Sequence, residues 1–154
     1  FGADGSHNLD LYVPAGGSRE FTTTDTVAHN RHTIVMNGKV VLENGIRRMA
    51  EMGQAALEDA GMDISDVDWF VPHQANIKII NGVINQLGLN RKKVLINLGH
   101  RGNMSAGSIP SALSDGIEDG RVKPYQFVLA MAFGAGFNYG AVGMPYAGPQ
   151  RKST

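Results

Sequence analysis

Apolar residues recur at steps of three and four across residues 38–60, the spacing that gathers side chains on one face of a helix. Leu42, Ile46 and Met49 belong to this apolar set, while charged residues four apart occupy another face. Gly61 follows directly, and glycine is frequent just after the end of a helix. The pattern therefore predicts one long amphipathic helix that ends near residue 60.

Shorter patterned segments follow this helix, and they alternate between strand and helix signals. Strands are predicted over residues 68–72, 93–98, 127–133 and 137–146, and helices over residues 75–87 and 105–119. Residues 1–33 are polar and irregular, which predicts a short strand or two with long surface loops. The alternation predicts an α/β fold with helices on both faces of a mixed, mostly parallel sheet, whose last strand is antiparallel.

The composition is that of one ordinary globular domain. The chain has 154 residues, of which 42% are hydrophobic and 18% charged, so it can bury a core and is not disordered as a whole. Lys and Arg number 14, and Asp and Glu also number 14, which leaves no basic excess for nucleic acid. Cysteine is absent, which excludes disulfides, thiolate metal sites and a cysteine nucleophile from this chain and fits a reducing compartment.

One long uncharged stretch, residues 126–150, has the length of a membrane span. Several glycines and Pro145 interrupt it, so two buried strands joined by a glycine turn explain it better. The chain does not begin with a basic segment followed by an apolar one, so no signal peptide is predicted. These features favour a cytoplasmic protein without a membrane segment.

Candidate chemistry lies in three loops after predicted strands, because open α/β sheets bind ligands at the carboxyl ends of their strands. His73 follows the first of these strands, and Asn103 precedes the last predicted helix. Gly134, Ala135 and Gly136 join the last two strands, where backbone N–H groups can approach a ligand closely. An imidazole, a carboxamide and backbone amides without a carboxylate suit the stabilisation of a negative oxygen.

Each of these residues also has a purely structural interpretation. His73 can be a hydrogen-bonded structural histidine, Asn103 can cap the helix that follows it, and the glycine-rich segment can be a hairpin turn. His29 and His32 are three residues apart but lack an obvious third ligand, so a polar loop is favoured over a metal site. The residues alone leave these alternatives open.

Three longer motifs resemble one family. They are DWFVPHQANIKII at residues 68–80, GNMSAGSIPSAL at residues 102–113 and AFGAGFNYG at residues 132–140. Together they are similar to the carboxyl-terminal half of β-ketoacyl-acyl-carrier-protein synthase III, a thiolase-like condensing enzyme that starts fatty-acid synthesis. The resemblance implies an acyltransferase with a thiolase-like fold, of which this chain is one βαβαβαββ-type half.

The resemblance also implies roles for the candidate residues. The family's catalytic histidine falls on His73 and its catalytic asparagine on Asn103. Its oxyanion loop falls on Gly134, Ala135 and Gly136, where three glycines are usual. Ala135 is a departure that requires a backbone angle suited to a residue with a Cβ atom.

The implied reaction is the decarboxylative condensation of malonyl-acyl-carrier protein with an acyl-CoA primer. It needs no metal and no cofactor beyond coenzyme A and the carrier's phosphopantetheine, which carry the substrates as thioesters. The pantetheine arm is expected to contact Gly38, Ala75 and Asn76. The acyl carrier protein is expected to contact the run Gln74, Ala75, Asn76, Ile77 and Lys78.

The charge around this run is lower than the resemblance would give. Positions that are often basic in the family hold Glu43, Asn85 and Gln86. We therefore expect carrier binding to be weaker than usual and to depend on Lys78, because fewer basic contacts slow the association of an acidic partner. Arg47 and Arg48 on the long helix can substitute for the lost charges, or they can simply form a solvated helix face.

The resemblance divides the chain into three parts: residues 1–37 continue from an amino-terminal half, residues 38–146 form the condensing-enzyme domain, and residues 147–154 form a tail. The family's cysteine nucleophile lies in the amino-terminal half, so we expect this chain to be inactive alone and homodimeric only at full length. A thiolase-fold acyltransferase, a condensing enzyme of specialised, polyketide-like metabolism and a noncatalytic partner subunit or interaction module are the alternatives.

Overall fold

Residues 1–148 are described by the structure, a computed structural model of the chain. The strands are Gly2–Ala3 (β1), Leu11–Tyr12 (β2), Val35–Met36 (β3), Trp69–Pro72 (β4), Phe127–Gly134 (β5) and Asn138–Pro145 (β6). The α-helices are Thr24–Ala28 (α1), Gly38–Ala60 (α2), Ile77–Leu87 (α3), Leu98–Arg101 (α4) and Ser108–Glu118 (α5). Of the predicted tail, residues 149–154 lie outside the described residues.

The main sheet has the strand order β1-β6-β5-β4, and β2 and β3 form a separate antiparallel pair. β4 and β5 are parallel, whereas β5 with β6 and β6 with β1 are antiparallel. The antiparallel last strand is confirmed, and the mixed character of the sheet is too. The expectation of a mostly parallel sheet is wrong, because only one of these three pairings is parallel.

The imbalance arises because residues 93–98 do not form the predicted strand. Val94 makes one isolated parallel bridge to Phe70, and the Leu95 N–H donates to the Phe70 carbonyl oxygen at 2.9 Å. Two residues later the Asn97 N–H donates to the Gln74 side chain instead of to a strand. The chain then turns into α4, so the apolar run is buried without a ladder of its own.

The helix ends follow local signals closely. α2 ends at Gly61 (φ 64°) and α3 at Gly88 (φ 66°), both in the left-handed conformation that glycine adopts without strain. α3 begins two residues later than predicted, because the Asn76 side chain caps it by accepting from the Lys78 N–H at 2.8 Å. The third predicted helix is a short 3-10 turn, Ser105–Gly107, followed by α5, and Pro110 lies in the first turn of α5.

Helices cover both faces of the main sheet, as predicted. Successive residues of a strand point to opposite faces of the sheet. Phe70 and Leu129 therefore lie on the face covered by α2 and α3, and Val71 and Val128 lie on the face covered by α5. The uncharged stretch that begins at residue 126 forms the β5–β6 hairpin. Among residues 1–148, no helix has both the length and the apolar character that crossing a membrane requires.

Candidate active site

His73 directly follows β4 and is held by the neighbouring strand. Its backbone N–H donates to the Met131 carbonyl oxygen at 2.8 Å, which extends the parallel ladder by one residue. The side chain is half-buried, and burial lowers the pKa of the imidazole below its ordinary value. The ring is therefore neutral at neutral pH, and a neutral imidazole carries one N–H donor.

Asn103 lies just after α4, beyond Gly102 (φ 70°). Its Oδ1 accepts a hydrogen bond from the Ser105 N–H at 2.9 Å, but the N-cap positions of the 3-10 turn and of α5 are Met104 and Gly107, so Asn103 is not the helix cap. This contact leaves the Nδ2 group as a donor, for which residues 1–148 provide no hydrogen-bond acceptor. The exposed carboxamide is thus oriented by its oxygen and can donate through its nitrogen to a ligand.

The glycine-rich segment is a hairpin turn between β5 and β6. Asn138 Nδ2 donates to the Ala135 carbonyl oxygen at 2.7 Å, which fixes the turn from inside. Gly136 has φ +130°, a value that side-chain-bearing residues rarely adopt, whereas Ala135 is not among the residues of positive φ. The departure at Ala135 is therefore accommodated, and glycine is required only one residue later.

These three segments meet at one cavity of about 780 Å³. Of the predicted site residues, it is lined by Gly38, His73, Ala75, Asn76, Asn103, Gly134 and Ala135. Within the described part of the chain, no Asp, Glu, Lys or Arg side chain lines it. The predicted catalytic and pantetheine residues thus come together around a space without formal charge, where hydrogen bonds to a developing anion are strong.

The opposite wall of this cavity was not predicted. It is apolar and comes from the β2–β3 pair and the first turns of α2; its residues include Leu11, Val13, Ile34, Met36, Val41 and Leu42. The polar, irregular character of residues 1–33 predicts a short strand or two with long surface loops, and β2 is such a strand, but an apolar wall is not predicted. The apolar runs in this part of the chain are only two or three residues long. Those short runs were the available signal.

A second cavity, of about 510 Å³, lies on the other side of His73. The β5–β6 hairpin and the start of α5 line it, with Ile109, Ala130 and Val142 among its residues. Val142 and Met144 on β6 are 46% and 37% exposed, so this side of the hairpin presents apolar surface. The two cavities share His73, Ser105, Phe133 and Gly134, and His73 is the titratable residue of this set.

The structure does not bring every predicted residue to the cavity. Gly136, Ile77 and Lys78 lie outside its lining. Gln74 was predicted to contact a carrier protein, but its side chain is 0% exposed and is hydrogen-bonded entirely inside the chain. That prediction is wrong for the Gln74 side chain, because a group without exposed surface cannot touch a partner.

The turn that leads to Asn103 is anchored by a carboxylate of α5. Asp115 accepts hydrogen bonds from Arg101 and from Asn97 Nδ2, each at 2.8 Å, and His100 Nε2 lies 3.5 Å away. The hydrogen bonds from Arg101 and Asn97 lower the pKa of Asp115 to about 2. Asp115 therefore stays ionised, and the anchor persists, at every pH well above that value.

The basic residues considered for docking differ in how free they are. Lys78 is exposed in the first turn of α3 and forms no ion pair within residues 1–148. Arg48 pairs with Asp4 at 2.9 Å and with Glu51 at 3.1 Å, and it lies over an aromatic ring. Arg47 pairs with Glu51 but is 47% exposed. Arg48 is thus committed inside the chain, and Lys78 and Arg47 are the accessible charges.

Residues 1–148 contain no group of three or more His, Asp or Glu side chains arranged to hold a metal ion.

Comparison with known proteins gives one consistent family. A family model described as 3-oxoacyl-[acyl-carrier-protein (ACP)] synthase III C terminal matches residues 57–146, which include His73, Asn103 and the glycine-rich turn. The β-ketoacyl-[acyl-carrier-protein] synthase III of Symbiobacterium thermophilum is 42% identical over 143 residues, which are 93% of this chain and 43% of that protein. The protein of the same name from Clostridioides difficile is 45% identical over 140 residues, 91% of this chain and 43% of its own length.

Solved structures agree. The crystal structure of 3-oxoacyl-[acyl-carrier-protein] synthase III from Aquifex aeolicus is similar with a TM-score of 0.81 and 34% sequence identity, over 94% of this chain and 42% of that one. The chain therefore spans less than half the length of the relatives it matches.

Proposed function

This chain belongs to the 3-oxoacyl-[acyl-carrier-protein] synthase III family as a carboxyl-terminal domain, and we propose that it supplies the decarboxylation site of a condensing enzyme. The enzyme would join a malonyl group on acyl carrier protein to an acyl group from acyl-CoA. The proposal rests on one observation above the others. A neutral histidine, a carboxamide with a free N–H and a glycine-rich turn line the same cavity, and no charged side chain of the described residues lines it with them.

The chemistry follows from these donors. In the malonyl thioester the bond to the carboxylate breaks, carbon dioxide leaves, and the electron pair becomes an enolate whose charge lies mainly on the thioester oxygen. His73 and Asn103 donate hydrogen bonds to that oxygen. Neutral donors suit this step, because they stabilise charge as it develops without protonating the enolate carbon.

The enolate carbon then attacks the carbonyl carbon of an acyl group held on a cysteine. A carbon–carbon bond forms, the carbon–sulfur bond breaks, and the cysteine leaves as a thiolate. The Ala135 backbone N–H helps to hold the oxyanion formed during acyl transfer. No metal or resident cofactor takes part, since both reactants are activated as thioesters.

The cysteine must come from outside this chain, which contains none. We place it in an amino-terminal half that covers the apolar side of the β5–β6 hairpin at the second cavity. Val142 and Met144 are exposed there, and a partner that buries them would bring its own residues next to His73. Homodimerisation of the full-length enzyme and a cytoplasmic location stay predictions.

Condensation should require the full-length protein. We expect this chain alone, mixed with acyl-CoA and malonyl-acyl-carrier protein, to form no 3-oxoacyl product, because it offers no thiol to carry the acyl group. The full-length protein should form that product and release carbon dioxide in equal amount. Turnover by the isolated chain above a protein-free blank, or a full-length protein that transfers acyl groups to an alcohol or amine instead, would overturn the proposal.

Docking of the acidic carrier protein should depend on Lys78, which lies two residues after Asn76, a residue that lines the cavity. We expect Lys78→Glu in the full-length enzyme to lower kcat/KM for malonyl-acyl-carrier protein by about tenfold at low salt, and by less at moderate salt, because salt screens the steering of a charged partner. Malonyl-CoA, which lacks the carrier, should react equally well with both enzymes. Arg47→Glu tests whether the α2 arginine contributes.

Lys123→Glu is the matched control for this charge reversal. Lys123 is exposed near the amino end of β5, whereas His73 follows the carboxyl end of the parallel strand β4. It makes the same change in net charge without touching the cavity mouth. Equal losses in the Lys78 and Lys123 variants would show that only total charge matters and that the carrier does not dock at α3.

A further inference from the structure

Gln74 is a fully buried carboxamide next to His73, and its side chain has no role in the mechanism above. Its Nε2 donates to the carbonyl oxygens of Pro72 at 2.7 Å and Leu95 at 3.2 Å. Its Oε1 accepts from the backbone N–H groups of Asn97 at 3.1 Å and Leu98 at 3.2 Å. Both ends of the amide are therefore satisfied by backbone.

These four contacts join two segments that no strand pairing connects at this point. Pro72 is the last residue of β4 and precedes His73, while Asn97 and Leu98 begin α4, which leads through Gly102 to Asn103. Residues 93–98 make only one isolated bridge to β4. The Gln74 side chain takes the place of the missing ladder and ties the two loops to each other.

Few side chains can do this. The side chain at this position must accept two hydrogen bonds through one atom and donate two through another, and its stem must be as long as that of glutamine. Without these four hydrogen bonds, four buried backbone groups would lack partners, which is energetically costly. The two loops would then move apart or admit water so that these groups regain partners. The requirement explains a buried glutamine where an apolar residue would otherwise suit the surrounding core.

We infer that Gln74 is a positioning residue that sets the distance between the His73 imidazole and the Asn103 carboxamide by bridging the ends of β4 and α4. The inference rests on the proposed function, since it concerns the two donors assigned to the enolate oxygen. It also changes the predicted role of Gln74 from contact with a carrier protein to the internal geometry of the site.

Two variants of the full-length enzyme test this role. Gln74→Met keeps the size of the side chain and removes all four hydrogen bonds. We expect kcat for malonyl decarboxylation to fall by about 10–10²-fold, because displacements of about 1 Å cost that much in a positioned site. KM for the malonyl thioester and acylation of the cysteine should change by less than about threefold, since the Gln74 bridge does not reach the substrate directly.

Gln74→Glu separates positioning from general loss of structure. An ionised carboxylate would face the carbonyl oxygens of Pro72 and Leu95, so its neutral form is favoured and the pKa of the introduced carboxyl is raised. The neutral acid restores both acceptor contacts and one donor. Decarboxylation relative to wild type should therefore recover as the pH falls from about 8 to about 6.

The nearby titratable and charged groups do not produce this recovery. His73 directly follows β4, His100 and Arg101 are the last two residues of α4, and Asp115 contacts both of them and Asn97. All four titratable groups are present in wild type, so the ratio of variant to wild type cancels their titration. Asp115, with a pKa of about 2, is ionised throughout the range.

Gln126 provides the matched control at the other end of β4. Its Oε1 accepts from Trp69 Nε1 at 2.9 Å and from the Lys123 N–H at 2.8 Å, so it too bridges segments, but only as an acceptor. Gln126→Met should leave the decarboxylation kcat within about threefold of wild type. Gln126→Glu should show no recovery at low pH, because a carboxylate can accept both bonds.

The outcomes distinguish a failure of the proposed function from a failure of the positioning role of Gln74. If His73→Ala leaves decarboxylation intact, the proposed function fails, whatever the Gln74 variants do. If His73→Ala abolishes decarboxylation while Gln74→Met and Gln74→Glu retain it, only the positioning inference is overturned. Should Gln74→Met fail to fold, the pH profile of Gln74→Glu decides, and a flat ratio across that profile contradicts the inference.

Discussion

Replacing either His73 or Asn103 by alanine in the full-length enzyme is expected to slow malonyl decarboxylation by about 10²–10³-fold, the usual loss for one donor to a developing oxyanion. Both residues line the same cavity, and each side chain carries an N–H group that can donate to a ligand. Release of labelled carbon dioxide from malonyl-acyl-carrier protein measures the step directly.

The same variants should keep most of their ability to accept an acyl group from acyl-CoA. In the proposed mechanism that half-reaction uses a different oxyanion position, at the β5–β6 turn, so labelled acyl-enzyme should form within about tenfold of the wild-type rate. His100→Ala is the control for a general loss of histidine, because His100 is 67% exposed and contacts Asp115 instead of the cavity. A parallel fall of both half-reactions in folded variants would refute the assigned roles.

The second large effect is expected at Gly136. Alanine there must adopt φ near +130°, at a cost of about 1–3 kcal/mol, and its Cβ would overlap the Asn138 carboxamide that holds the turn. The chain will relieve the overlap by moving the turn, which displaces the Ala135 N–H. We expect Gly136→Ala to slow acylation of the cysteine by about 10²-fold, more than it slows decarboxylation.

Gly134→Ala is the matched control, at the last residue of β5 and two residues before Gly136. A Cβ atom at Gly134 meets no atom within 4 Å, and its φ lies outside the range that disfavours side chains. Acylation by this variant should stay within about threefold of wild type. If both glycine variants behave alike, the turn does not act through its backbone geometry. If Gly136→Ala spares acylation, the oxyanion role of Ala135 is wrong.

The His73 and Asn103 variants on one side and the Gly136 variant on the other should affect different half-reactions. His73 and Asn103 variants should lose one half-reaction, and the Gly136 variant should lose mainly the other. Thermal unfolding of each variant separates these effects from instability, since a kinetic loss without a lowered Tm belongs to the site.

Much of the fold is encoded in short-range signals. Gly61 and Gly88 end their helices because a left-handed residue is a local requirement that neighbours in space do not alter. The hairpin from residue 127 is likewise predictable from two apolar runs around a glycine turn. His73, Asn103 and Ala135 could be proposed as one site because the carboxyl ends of neighbouring strands share an edge of the sheet.

Long-range contacts decided what local patterns could not. Residues 93–98 have an apolar run typical of a strand, yet the Gln74 side chain captures the Asn97 N–H and turns the chain into a helix. The apolar wall from β2 and β3 depends on a pairing between residues that are 23 or more positions apart, which periodicity within a short window does not detect.

The amino-acid sequence by itself determined where α2 and α3 end, the β5–β6 hairpin and the identity of the groups that can stabilise an oxyanion, because each of these depends on residue type or on spacing along the chain. Tertiary structure alone decided that Gln74 is an internal bridge and not a surface contact, that Arg48 is committed to Asp4, and that alanine is accommodated at position 135. Burial, pairing partners and backbone angles are properties of the packed chain. The type of a residue restricts which of them are possible, but contacts with residues distant in sequence decide which one occurs.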